Sequence, residues 1–230
     1  MIQEHTSKSF DADIEGMRSA VLKIGGLVEQ QVIRACDSLL QSNLNLVAQV
    51  LADEEIVNQL HVQADMLCQQ VIARRQPIAV DLREVIAALH SINDLERIGD
   101  EAKKIALKAR HIVGHGPSAT ANIWANDQFR QMASIASEML SAALDAYVRH
   151  DSSVAAKLAA RDRMLDALRE KLNGSLLDHM ASHSDQVQPS MEMVFAVQAL
   201  ERVGDHAKNI AEYVVSVVDG VDMRHLTPPA

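Results

Sequence analysis

One twelve-residue stretch occurs twice in this chain, and it decides most of what the chain can become. Leu95-Glu96-Arg97-Ile98-Gly99-Asp100-Glu101-Ala102-Lys103-Lys104-Ile105-Ala106 returns as Leu200-Glu201-Arg202-Val203-Gly204-Asp205-His206-Ala207-Lys208-Asn209-Ile210-Ala211. Nine of the twelve positions are identical at a fixed offset (201 − 96 = 105). Self-similarity at one period points to two copies of a single supersecondary unit. Each copy sets a Glu and an Asp four residues apart, which on a helix places them on one face, one turn from each other.

The remainder of each copy reads as helix. Ile14, Met17, Val21, Ile24, Val28, Val32, Ala35 and Leu39 recur at threes and fours from about Phe10 to Gln41, the spacing of a buried helical stripe. After a break at Ser42-Asn43, a second run spans Leu44 to Arg75. Pro77 stops it, and Asp81 opens a third helix with an acidic first turn that suits the helix dipole. That helix runs to Val113. Its stripe, Val85, Leu89 and Ile92, leads straight into Glu96, Asp100 and Lys103. Residues 114–123, with Gly114, Gly116 and Pro117, form a linker, and the pattern then repeats as Trp124–His150, Asp151–Ala181 and Pro189–Val218. Residues 1–8 and 223–230 are read as loose ends. Aromatic content of 3% and only five prolines favour helices over a sandwich or barrel. The expected fold is all-α: a tandem duplication of an antiparallel three-helix bundle, with six helices of roughly 27–35 residues. One bundle takes residues 1–113 and the other 124–230.

Mid-helix glycines need a reason, because each lowers helix propensity by roughly 1 kcal/mol relative to Ala. At Gly25-Gly26 the expectation is close passage of another helix, with a kink as the alternative. At Gly99 and Gly204 it is a neighbouring helix, with an ion as the alternative.

The second helix of each half carries a matching polar pair. It is Asp162 and Asp166 in the C-terminal half and Glu54 and Asn58 in the N-terminal half (162 − 54 = 108, 166 − 58 = 108). Sequential antiparallel helices can oppose these pairs to the Glu and Asp of the duplicated block. Four oxygen donors from two helices suit a hard cation of the Mg, Mn, Fe or Ca type. The same residues also read as a solvated ion-pair network, with Arg97, Arg202, Lys103 and Lys208 near enough in sequence to neutralise them. Asn58 can ligate through its amide oxygen but brings no charge, so the C-terminal set is the stronger candidate.

Several classes are disfavoured. A formal charge of −9, from 31 acidic and 22 basic residues, argues against general nucleic-acid binding. It suits a protein that binds cations or a partner's basic surface. No signal peptide and no membrane span are legible, so a cytoplasmic location is expected. Cys36 and Cys68 read as buried free thiols. His111/His115 and His179/His183 are each four apart, a metal-capable spacing, but all sit at helix ends where a cationic ring also suits the dipole. There is no Glu-x-x-His, phosphate-binding loop or nucleophile elbow.

These residues resemble the PhoU family of phosphate-signalling regulators. The family's third-helix signature, Glu-Arg-Ile-Gly-Asp-x-Ala-x-Asn-Ile-Ala, is matched by Leu95–Ala106 and by Leu200–Ala211, with Lys104 in place of the Asn in the first copy. Gln76–Arg83 is similar to the family's Pro-x-Ala-x-Asp-Leu-Arg segment, Gly25–Glu29 to its Gly-Gly-Leu-Val-Glu, and Asp162–Leu168 to its Asp-x-x-Ile-Asp-x-Leu. The resemblance covers residues 10–219. It implies a non-enzymatic cytoplasmic protein, usually dimeric, placed between the phosphate ABC transporter and a membrane sensor histidine kinase. There it represses phosphate-starvation genes (the Pho regulon) and modulates phosphate uptake. It also implies divalent or iron-type metal ions (Fe, Mn, Mg or Zn), multinuclear in some members. Carried over, the ligands are Asp162, Asp166, Glu201 and Asp205 in one site and Glu54, Asn58, Glu96 and Asp100 in the other. The alternative is a metal-dependent enzyme or metal-storage bundle that uses the same carboxylates.

Overall fold

The apolar stripes become six helices: α1 (Lys8–Leu40), α2 (Leu44–Arg75), α3 (Ala79–Gly114), α4 (Asn126–Arg149), α5 (Val154–Ser182) and α6 (Val187–Asp219). The structure, a computed structural model, describes residues 8–116 and 126–221. No strand occurs among them. The expected Trp124, most of the 114–123 linker and the two chain ends fall outside these residues, whereas Gly114 closes α3.

Local chemistry explains where the helices begin and end. Asn43 caps α2, its Oδ1 accepting from the Asn45 amide at 3.0 Å. At the other end Gln76 takes a left-handed conformation and its amide donates to the Ile72 carbonyl. Helix α5 starts at Val154 rather than Asp151, because the Asp151 carboxylate is engaged in a turn by the Ser153 amide. Helix α6 begins at Val187, after a short 3₁₀ turn at Ser184–Gln186. Pro189 therefore sits in its first turn, where a missing N–H leaves no helical bond unmade.

Helices α1, α2 and α3 pack on one another, and so do α4, α5 and α6. The two triplets are joined along α1–α4 and, most extensively, along α3–α6. One apolar cluster runs through both, including Ile24, Ile92 and Ile98 on one side and Leu140, Leu165 and Ile210 on the other. Near one end of the join, buried Glu84 of α3 meets Arg18 of α1 and, at 3.7 Å, His150 just beyond α4. Cys36 and Cys68 are buried free thiols.

The glycines divide by their surroundings. A Cβ on Gly25 would lie 2.6 Å from Leu144 Cδ2, so this glycine lets α4 approach α1; a Cβ on Gly26 meets nothing within 4 Å. At Gly204 a Cβ would lie 2.5 Å from Leu165 Cδ2 on α5. Helix α1 stays continuous, and close approach rather than a kink accounts for Gly25. The two alanine variants should therefore diverge in denaturant unfolding. Gly26→Ala should stabilise by roughly 0.5–1 kcal/mol through helix propensity. Gly25→Ala should lose that gain, and destabilise by about 1 kcal/mol or more, through overpacking against Leu144.

Candidate functional site: two acidic faces and the seam between them

The C-terminal acidic face forms where α5 and α6 run side by side. Gly204 admits Leu165, and this contact brings Asp162 and Asp166 of α5 against Glu201 and Asp205 of α6. Lys208 Nζ donates to Asp162 Oδ2 at 2.5 Å. Arg169 lies 3.3 Å from Glu201 and 3.6 Å from Asp166, so it bridges the two helices. Burial raises the Glu201 carboxyl above its ordinary value, with Asp205 adding to the effect and Arg169 opposing it. Asp205 is raised for the same reasons: burial first, then Asp162, with Lys208 opposing. Four carboxylates thus share two internal cations, an excess of negative charge in a half-buried setting.

The N-terminal face is built differently. Glu54 of α2 is almost fully buried, with Gln31 of α1 donating to its Oε2 at 3.0 Å and Asn58 to its Oε1 at 3.3 Å. Gly99 provides the room, since a Cβ there would lie 3.1 Å from both Gln31 Oε1 and Glu54 Oε2. The glycine accommodates polar side chains of α1 and α2, where its counterpart Gly204 accommodates a leucine. Burial raises the Glu54 carboxyl, Asp100 adds to this, and Gln31, Lys103 and Asn58 pull the other way. Lys103 is 3.8 Å from Glu54. Glu96 and Asp100 are both reached by Arg97, at 3.5 and 3.3 Å.

Between the two faces lies the α3–α6 seam. His206 Nδ1 meets Asp94 Oδ1 at 2.6 Å, and Asn209 donates to the same oxygen at 3.4 Å. Arg202 crosses to buried Glu101 at 3.6 Å, and Lys108 reaches Glu192 at 2.8 Å. Sequence position alone set Arg202 beside Glu201 and Asp205; the fold sends it across the seam instead. Its counterpart Arg97 stays local. Arg169 and Gln31, which complete the two faces, were missed in the sequence. Arg169 had a signal, standing three residues beyond Asp166 on the same helical face, and Gln31 had one in being a polar residue beside a core stripe.

Asp162, Asp166, Glu201 and Asp205 come together on the first face; on the second Glu54 lies with Asn58 and near Asp100, while Glu96 meets Arg97. The oxygen-only donors have the chemistry a hard cation requires. As placed, the carboxylates hold lysine and arginine, and no three His, Cys, Asp or Glu side chains among the described residues form a group able to grip an ion. The histidine pairs serve other ends. His111 turns to Glu192 at 3.4 Å, and His179 stacks on His183 with ring centroids 4.3 Å apart.

A raised carboxyl pKa has a definite consequence for stability. The folded state holds the proton more tightly than the unfolded chain, so the charged group is a burden above the folded-state pKa. That burden is relieved as pH falls through the folded-state pKa toward the ordinary carboxylate range. In chelator-treated protein at neutral pH, Asp205→Asn should therefore raise stability, by up to about 1 kcal/mol after allowance for solvent screening. Thermal melts should show the gap between variant and wild type narrowing on acidification.

The chain matches the PhoU domain model twice, at residues 21–109 and 129–214. It is 36% identical over 225 residues to a phosphate-specific transport system accessory protein PhoU homolog of Pseudomonas aeruginosa, covering 98% of this chain and 91% of that one. It is 31% identical over 227 residues to the phosphate-specific transport system accessory protein PhoU of Escherichia coli, with 98% and 91% covered. The crystal structure of PhoU from Pseudomonas aeruginosa superposes with a TM-score of 0.88 at 36% identity, over 92% of this chain and all of that one. The fold is shared with the phosphate transport system regulatory protein PhoU from Streptococcus pneumoniae, with a TM-score of 0.83 at 24% identity over 93% of this chain and 99% of that one. With both repeats of the duplication matched and near-complete coverage of its relatives, the chain belongs to the PhoU family.

Proposed function

We propose that this chain is the accessory protein of a phosphate-specific transport system, a negative regulator of the phosphate (Pho) regulon and a modulator of phosphate uptake. It acts as an adaptor between the ATPase of a phosphate ABC transporter and a sensor histidine kinase, and catalyses no reaction. It works in the cytoplasm as a homodimer, binds no nucleic acid and associates with the membrane only through those partners. The observation that carries the reading is that relatives aligned over 98% of this chain are named phosphate-specific transport system accessory proteins. Long polar helix faces and a charge of −9 suit docking on basic protein surfaces. No helix among the described residues is long and apolar enough to cross a membrane.

The acidic faces are part of this proposal. Asp162, Asp166, Glu201 and Asp205 would hold one divalent or iron-type ion or cluster, and Glu54, Asn58, Glu96 and Asp100 a second. The first is favoured by its excess of carboxylates over internal cations, and Lys208 and Arg169 would give up Asp162 and Glu201 to make room. A bound cation supplies compact positive charge, which orders the α5–α6 face or bridges it to a partner's carboxylates. At the second face, Asn58 already spends its amide nitrogen on Glu54 and offers only its oxygen.

Complementation tests the regulatory reading. In a bacterium lacking its own PhoU-type gene, the wild-type chain should restore repression of alkaline phosphatase in high phosphate. Glu201→Ala/Asp205→Ala should not. Repression by both would remove these carboxylates from the function. A soluble wild type that neither represses nor co-purifies with a transporter ATPase from its native host would overturn the adaptor role. Metal analysis tests the faces separately. The wild type should carry an iron-type or divalent ion that the double variant lacks. Chelation should lower wild-type stability by about 2.7 kcal/mol where free ion had stood a hundredfold above its Kd. Equal metal content in both proteins would overturn the assignment.

A further inference from the structure

Gly26 is a mid-helix glycine that the packing of this chain does not use. Its neighbour Gly25 admits Leu144 of α4, whereas a Cβ on Gly26 would meet nothing within 4 Å, and the residue faces solvent. A glycine there weakens α1 and gains the molecule no internal contact. Leu22, Gly26, Glu29, Ile33 and Asp37 follow one another at threes and fours, so they share one side of α1. Beyond the Gly25–Leu144 contact, an open groove of about 280 Å³ lies between that side and α4. Val32 and Leu140, both fully buried, line its base, and Glu29, Ile33, Ser137 and Glu138 its sides. Ile33 and Leu22 are large apolar side chains left 43% and 37% exposed. The carboxylates along this side are incompletely matched. Glu29 and Asp37 pair with no cation among the described residues. Glu138 is met by Arg161 of α5 at 2.8 Å and by the Ser134 hydroxyl at 3.0 Å.

We propose that a protein partner docks here through a basic amphipathic helix laid along α1 beside the groove. An apolar stripe flanked by charge is the surface such a helix recognises. Gly26 lets the partner's backbone come close, Leu22 and Ile33 meet its apolar residues, and Glu29 and Asp37 receive lysine or arginine. Those two carboxylates are eight residues apart (37 − 29 = 8), about 12 Å along the helix axis. The partner's matching cations therefore stand seven or eight residues apart on one face, with an apolar residue between them opposite Ile33. A second copy of this chain is disfavoured as the occupant, because this side turned on itself sets carboxylates against carboxylates. The inference rests on the adaptor reading and names the surface by which that adaptor is held. It also gives a role to the Gly25–Glu29 segment, which neither the acidic faces nor the duplicated block uses.

The test takes the full chain with the purified transporter ATPase and the purified cytoplasmic part of the sensor kinase from the same organism. Gly26→Leu projects into open space, so its melting temperature should not fall. Its affinity for one of the two partners should drop at least about tenfold. Gly26→Ala should be more stable than wild type and yet bind severalfold more weakly, a split that a structural glycine would not show. Glu29→Lys/Asp37→Lys should lose at least about tenfold, and added salt should weaken the wild-type complex. Benzoylphenylalanine placed at Ile33 should cross-link to a partner segment with lysine or arginine seven or eight residues apart. The same group at Leu177, exposed on α5, should not. A complex that forms and is unaffected by the Gly26 and Glu29/Asp37 variants would overturn the groove and leave the adaptor role standing. So would a cross-link from Ile33 to a second copy of this chain, or to a segment without those cations. Absence of a wild-type complex with either partner would overturn both.

Discussion

The contact between α3 and α6 organises the molecule, because these two helices carry the duplicated block and meet along its length. Polar pairs cross it at several levels: Asp94 with His206, Glu101 with Arg202 and Lys108 with Glu192. The charges in the block cannot all be accommodated there. Glu101 is buried and needs a counter-charge, and Arg202 and Lys104 supply it. The seam is therefore specified by polar pairs as well as by apolar packing.

That demand breaks the symmetry of the duplication. Arg97 and Arg202 are equivalent in sequence, and so are Glu101 and His206. At position 101 the carboxylate draws Arg202 across the seam. Position 206, a histidine, offers Arg97 no carboxylate and pairs with Asp94 instead. Arg97 stays beside Glu96 and Asp100, whereas Glu201 is met by Arg169 and Asp205 is offset by Lys208. One of the three differences between the copies, Glu101 against His206, thus gives one motif two faces of different electrostatic character.

This asymmetry marks how far the sequence could be read. Helix α2 falls on the residues its apolar period defines, and the six-helix duplication follows from spacing alone. The periodicity of one helix says nothing of its rotation against another, and there the reading stopped. Gly99 and Gly204 occupy equivalent positions, yet one faces Gln31 and Glu54 and the other faces Leu165. Which of these occurs is set by the residues on α1, α2 and α5 that arrive there. Arg202 was placed locally for the same reason, since its partner is 101 positions away in sequence (202 − 101). The acidic residues themselves were legible because they interrupt core stripes, and a charge in such a position has to be accounted for by something else in the fold.

Lys208 is where these charges meet. It donates to Asp162, and Asp205 and Glu212 both raise its pKa from further along the same helix. Burial alone would lower that pKa, so three carboxylates together keep the ammonium charged. One of the three belongs to the acidic face, one bridges face and motif, and Glu212 lies one turn beyond Lys208. Only Asp162 bonds the ammonium, and Asp205 and Glu212 act on it through space. Lys208 is thereby tied by a hydrogen bond to α5 and by charge to carboxylates one turn to either side of it on α6, which fixes the cation at the edge of the acidic face.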